Sequence, residues 1–181
     1  MTEKSLKIMV SSTVYGSESD LDILRATLEG FGYEVIMSKD GNVYVPTGFT
    51  NEQACLQAVD DCDLFLGIVF PRYGSGITHK EFKRAIAIDK PRWFLSHQNV
   101  TFARKLLAPY RFKNGKPNPD FKFIGTTVLD SDKVIDMYED IKTNWAQGFS
   151  KFSDVMLFIN TQFKDIDKRR QELIARKAGK V

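Results

Sequence analysis

Residues 63–70 read D-L-F-L-G-I-V-F. After Asp63 the run carries no polar side chain, and Pro71 ends it. A strand with one face in water alternates apolar and polar residues, whereas a strand covered on both faces reads apolar throughout, as in a parallel sheet flanked by helices. The run therefore predicts a central parallel strand. On its N-terminal side, Thr50 and Gln53 form a capping box that opens a helix running to about Asp60. Further back lie a strand over Tyr33–Met37 and a loop from Ser38 to Phe49 marked by Gly41, Pro46 and Gly48. A helix over Glu18–Phe31 precedes them, with Leu21, Leu24, Leu28 and Phe31 at helical spacing. Ser17 and Asp20 mark its start, and Gly32 stands where it should stop. The first strand is L-K-I-M-V-S, residues 6–11. On the C-terminal side, Thr78–Ile88 predicts a third helix, and Pro91 opens the strand R-W-F-L-S at 92–96. The order βαβαβαβ with short links implies a parallel sheet, helices on both faces and right-handed crossovers.

Beyond His97 the pattern weakens. Phe102–Leu107 predicts a short helix, and residues 109–123, with Asn114-Gly115, Pro117 and Pro119, predict turn or hairpin structure. Val134–Trp145 reads as a helix and Phe149–Ala178 as one long helix. The expected organisation is an α/β domain over residues 1–127 and a helical extension over 128–181 packed on it.

Composition narrows the class. The chain has 181 residues, of which 43% are hydrophobic and 12% aromatic, enough to build one core without disulfides or metals. No apolar run approaches the ~18–20 residues of a membrane span. The first residues lead directly into a strand, so no signal peptide is expected. Cys55 and Cys62 are then expected to be reduced thiols of a cytoplasmic protein. No metal-ligand spacing is present, His79 and His97 stand alone, and no cofactor is assigned. The net charge of +3 conceals a local surplus: residues 164–181 carry seven Lys/Arg against three acids, and residues 98–127 carry six against Asp120 alone. A basic tail of this kind attracts anions or forms a solvated helix end. Nucleic acid is not expected as a partner. Val155, Phe158, Ile159 and Phe163 are expected to offer an apolar face to another chain, which makes a homo-oligomer one expected assembly.

Parallel sheets bind ligands beyond the carboxyl ends of their strands, near the point where strand order reverses. That geometry selects Ser11, Ser12, Thr13 and Tyr15 after the first strand. After the third it selects Arg72, Tyr73, Gly74 and Ser75, and after the fourth His97. Hydroxyls, a cation, aromatic faces and an imidazole suit a sugar or a nucleotide, and a nucleotide or nucleoside is the expected ligand. Each group has a structural alternative: the hydroxyls can cap turns, Arg72 can be a surface charge, and Gly74-Ser75-Gly76 can be a tight turn. Glu81 lies in the first turn of the third helix. There it can steady or attack the sugar of a breaking glycosidic bond, or complete a capping box with Thr78.

The runs K-I-M-V-S-S-T-V-Y-G, D-L-F-L-G-I-V-F-P-R-Y-G-S-G-I-T-H-K-E-F-K-R-A-I-A and K-P-R-W-F-L-S-H resemble an uncharacterised bacterial domain family grouped with TIR-like proteins. The resemblance implies a flavodoxin-like, TIR-like three-layer α/β sandwich. It also implies relatives that include TIR domains and nucleoside deoxyribosyltransferases, which place a helical glutamate at the pocket and break an N-glycosidic bond in NAD or a nucleoside. Glu81, in T-H-K-E-F, falls at the matching position. The base-recognition residues of the transferases have no match here, and the serine and cysteine that often precede a TIR glutamate do not line up. A non-catalytic interaction or ligand-sensing module in bacterial defence or signalling is the alternative that the resemblance leaves open.

Overall fold

The computed structural model describes residues 5–13, 16–38 and 41–179. Along the chain it runs β1 (Lys7–Ser12), α1 (Glu18–Gly30), β2 (Glu34–Ile36), α2 (Asn51–Asp61), β3 (Leu64–Val69), α3 (Ile77–Ala87) and β4 (Arg92–His97). There follow α4 (Gln98–Arg111), a two-stranded hairpin of β5 (Phe112–Lys113) and β6 (Lys116–Pro117), and α5 (Lys133–Ile141). A 3₁₀ turn (Lys142–Asn144), β7 (Ala146–Phe149), α6 (Phe152–Phe163) and α7 (Ile166–Lys177) complete it. Five strands form one parallel sheet in the order β2-β1-β3-β4-β7, the flavodoxin-like order.

Every residue of β3 is buried, as its unbroken apolar run requires. Leu64, Leu66 and Ile68 face one helical layer, where Leu21, Leu24 and Leu28 of α1 meet Val155, Ile159 and Phe163 of α6. Phe65 and Val69 face the other, formed by α2, α3, α4 and α5 through residues such as Val59, Phe82, Val100 and Ile135. Gly67 sits between them for a steric reason: a Cβ there would lie 2.6 Å from the Phe94 ring and 2.8 Å from the Phe82 ring. Those two rings fill the space beside the strand, their centroids 5.2 Å apart.

Several expectations change. β7 supplies the fifth strand from within the segment expected to be purely helical, and Phe149 belongs to it rather than to a helix. Its sequence, A-Q-G-F, is too short and too polar to announce a strand; pairing with β4 creates it. The expected long C-terminal helix is two helices, because Asp165 accepts a hydrogen bond from the Lys168 backbone N–H and starts a new one. Val155, Ile159 and Phe163, expected to face a partner, lie fully buried on the chain's own sheet, and Phe158 packs against the same cluster. The basic tail is drawn inward in places. Arg169 lies 4.7 Å over the Trp93 ring, and Arg176 bonds the Asp89 carboxylate and carbonyl. Asn114 and Gly115 both have positive φ, as a two-residue hairpin turn requires. No described helix is long and apolar enough to cross a membrane.

Candidate functional site

Parallel register puts the ends of β1, β3 and β4 on one edge: Ser12 pairs with Ile68, and Val69 with Ser96. Strand order reverses between β1 and β3, since β2 lies to one side of β1 and the later strands lie beyond β3. A cavity of about 640 Å³ opens there. Ser12 and Thr13 line it from β1, Gly74 and Ser75 from the loop after β3, and Ile77 and Thr78 from α3. Asn51 and Cys55 of α2, with Val43 and Val45 from the loop after β2, close the far side.

Gly76, at φ 82°, turns the chain into α3 in a left-handed conformation, and a Cβ there would press on the Tyr73 ring at 3.1 Å. Because Gly76 is the N-cap, α3 begins one residue before Thr78, and no side chain caps it. The capping-box alternative for Glu81 is therefore not realised. Glu81 instead points into the protein at 2% exposure, where the Ser11 hydroxyl donates to its Oε2. Its Oε1 has no hydrogen-bond partner among the described residues. Burial pushes the Glu81 carboxyl above the ordinary glutamate range, while donors on Ser11 and Cys55 pull it back. The Cys55 thiol is pushed up to about 12, first by burial and then by the neighbouring Glu81. Cys55 lines the cavity and adjoins Glu81, which does not itself line it. Thr13 Oγ1 is buried at the same edge without a hydrogen-bond partner among the described residues.

The remaining sequence-selected residues divide. Ser12, Thr13, Gly74 and Ser75 share the cavity, and Ser11 lies beneath it on Glu81. Tyr15 lies outside the described residues. Arg72 turns away, donating to the carbonyls of Pro71 at 3.1 Å and Thr127 at 2.9 Å. Tyr73 faces the opposite side of its loop, with its hydroxyl 3.0 Å from His79 Nδ1. His97 caps α4: its Nδ1 accepts from the Asn99 backbone N–H at 3.1 Å, and burial lowers its pKa, so the neutral ring is favoured. The residues that sequence reasoning missed are Glu18, Ser38, Gly41, Val43, Val45, Asn51, Cys55, Ile77 and Thr78. The position of the loop after β2 was available as a signal, since that strand ends on the same edge.

Among the described residues that line the cavity there is no lysine, arginine or aromatic side chain, and Glu18 is an acid. Such side chains pair hydroxyls and cover apolar rings. Among the described residues no group of three or more His, Cys, Asp or Glu side chains is placed to hold a metal ion.

Residues 7–146 match the family described as "Domain of unknown function (DUF4062)", and the chain belongs to it. No curated protein matches. Among solved structures, the chain is similar to a conserved protein from Enterococcus faecalis V583, at 12% identity and a TM-score of 0.50, over 88% of this chain and 99% of that one. That likeness shows a shared fold. A 2-desoxiribosyltransferase from Leishmania mexicana aligns at 18% identity with a TM-score of 0.44, over 75% of this chain and 97% of that one.

Proposed function

We propose that this protein binds a nucleoside in the cavity between the ends of β1 and β3. The observation that carries the reading is the cavity itself: it lies where strand order reverses and is lined by the hydroxyls of Ser12, Thr13, Ser75 and Thr78 beside the apolar Val43, Val45 and Ile77. Sugar hydroxyls pair with these side chains, and the base lies against Val43, Val45 and Ile77. A nucleoside is favoured over a nucleotide or NAD because Arg72, the cation expected for phosphate, is committed to two backbone carbonyls.

Cleavage of the N-glycosidic bond extends this reading. Glu81 is a buried carboxyl that adjoins Cys55 of the cavity lining, and a ligand that displaced the Cys55 side chain would meet it. Ionised, it would steady the oxocarbenium-like sugar or attack its anomeric carbon, with the base departing. The likeness of T-H-K-E-F to the transferases and to TIR domains supports this assignment. A second reading, a ligand-sensing module without catalysis, draws on a different observation: Glu81 is 2% exposed and bonded to Ser11, as a structural carboxyl would be.

One experiment separates them. Purified wild-type protein and Glu81→Gln are titrated with a panel of nucleosides and with NAD by calorimetry, and base release is followed by chromatography. Nucleoside binding by both proteins, with release only by wild type, supports catalysis through Glu81. Binding without release by either supports the sensing module. Binding of no nucleoside by wild type overturns both readings.

A further inference from the structure

A larger cleft, of about 880 Å³, lies on the other side of the β3–α3 loop, between α3, α4, α5 and the β5–β6 hairpin. Its wall is held by a chain of side chains centred on the buried His79. His79 Nε2 lies 2.7 Å from Asp140 Oδ2, and Nδ1 lies 3.0 Å from the Tyr73 hydroxyl. A carboxylate only accepts, so Nε2 carries the proton, and in the neutral ring Nδ1 accepts from Tyr73. Both nitrogens are thereby used, and the histidine acts as framework.

The charges of the cleft do not balance. Six cations line it, Lys83, Arg104, Lys105, Arg111, Lys133 and Lys142, against the three lining carboxylates of Asp136, Glu139 and Asp140 and a fourth, Asp132, paired with Arg111 behind them. Each carboxylate is already engaged. Asp136 receives Arg111 at 2.6 Å, Glu139 receives Arg104 at 2.5 Å and also Lys142, and Asp140 receives His79 and, at 3.4 Å, Lys83. Lys105 has no ion-pair partner among the described residues, and Lys133 rests 5.6 Å over the Tyr73 ring. Arg111 is nine-tenths buried, yet its Nε has no hydrogen-bond acceptor: Asp132 Oδ2 is 3.1 Å away but out of line. Asp136 Oδ1 beside it is likewise buried and unpartnered. The exposed lysines cost nothing when unpaired, but a buried donor and a buried acceptor left without hydrogen bonds cost stability, which a purely structural network has no reason to carry.

We propose that this cleft is a second binding site, for a small phosphate-bearing ligand. Lys105 and Lys133 meet the phosphate at the mouth. A hydroxyl of the ligand, accepting from Arg111 Nε and donating to Asp136 Oδ1, completes the floor after a small shift of those side chains. The concave shape and the volume suit a small molecule rather than a polymer, which favours a basic surface open at both ends. The site is independent of the nucleoside cavity, whose lining residues it does not share.

Pyrophosphate serves as the probe, titrated at low ionic strength into isotope-labelled protein and followed by amide chemical shifts. Saturable shifts on α4, α5 and the hairpin are expected, with Ser12, Thr13 and Thr78 unmoved. Lys105→Glu with Lys133→Glu removes the exposed cations without touching the core, and is expected to weaken pyrophosphate roughly tenfold or more. An unchanged thermal midpoint shows that the variant is folded. No saturable shift in wild type, or equal affinity in the double variant, overturns the proposal. A single-stranded oligonucleotide that binds the same residues far more tightly than pyrophosphate overturns the small-ligand assignment.

Discussion

Glu81 is the residue at which burial and ionisation oppose each other. Burial raises its carboxyl above the ordinary 4.5, so the folded protein keeps the proton to higher pH than the unfolded chain does. Between 4.5 and the raised value, unfolding releases a proton, and stability falls as pH rises through that window. Glu81→Gln cannot ionise and shows no such fall. The stability of Glu81→Gln relative to wild type, measured by urea denaturation, is therefore expected to grow with pH across the window and then level off. A difference constant with pH would mean that Glu81 titrates normally. Cys55 follows the same logic in reverse exposure to reagents: with its thiol pushed up to about 12, alkylation at pH 8 is expected to be far slower in folded than in unfolded protein. Gly67 is a packing position. Gly67→Ala forces the Phe82 and Phe94 rings apart and is expected to cost about 1–3 kcal/mol, read as a lower denaturation midpoint.

At the scale of elements, α2 shows how a local device serves a site. Thr50 Oγ1 accepts from the Gln53 N–H at 3.2 Å, and the Thr50 N–H donates to Gln53 Oε1 at 2.8 Å. This reciprocal cap sets the first turn, which carries Asn51 into the cavity, with Cys55 one turn on. Thr50→Ala is expected to lower stability by about 1 kcal/mol. An unchanged denaturation midpoint would mean that water replaces the cap fully. α3 teaches the opposite lesson. T-H-K-E has the spacing of the same box, but Gly76 already starts the helix, and burial claims the glutamate. The hairpin is the clearest local success, because Asn114-Gly115 needs only its own backbone preference to form the turn.

At the scale of the molecule, the boundary of the family match and the boundary of the folding unit differ. The match ends at residue 146, yet β7 and α6 complete the sheet and one of its two covering layers. Val155, Ile159 and Phe163 are fully buried. At roughly 1.5–3 kcal/mol each, their loss approaches the whole stability of an ordinary domain. A chain of residues 1–150 is expected to aggregate or lack cooperative unfolding by circular dichroism, and a cooperative melt near that of the full chain would refute this. The two cavities also belong to this scale, since each is walled by elements distant in sequence.

The sequence by itself determined the alternation of strands and helices through His97, the parallel sheet and the shared edge at which β1, β3 and β4 end. Each of those follows from short-range pattern: an apolar run, a cap, a glycine stop. Only the tertiary structure decided that β7 is a strand, that Phe163 faces inward, that Arg72 and Tyr73 leave the cavity, and that Glu81 is buried beside Ser11 and Cys55 instead of capping its helix. These outcomes depend on which surfaces meet. A side chain's direction and the solvent it loses are set by neighbours far along the chain, and no local pattern encodes them.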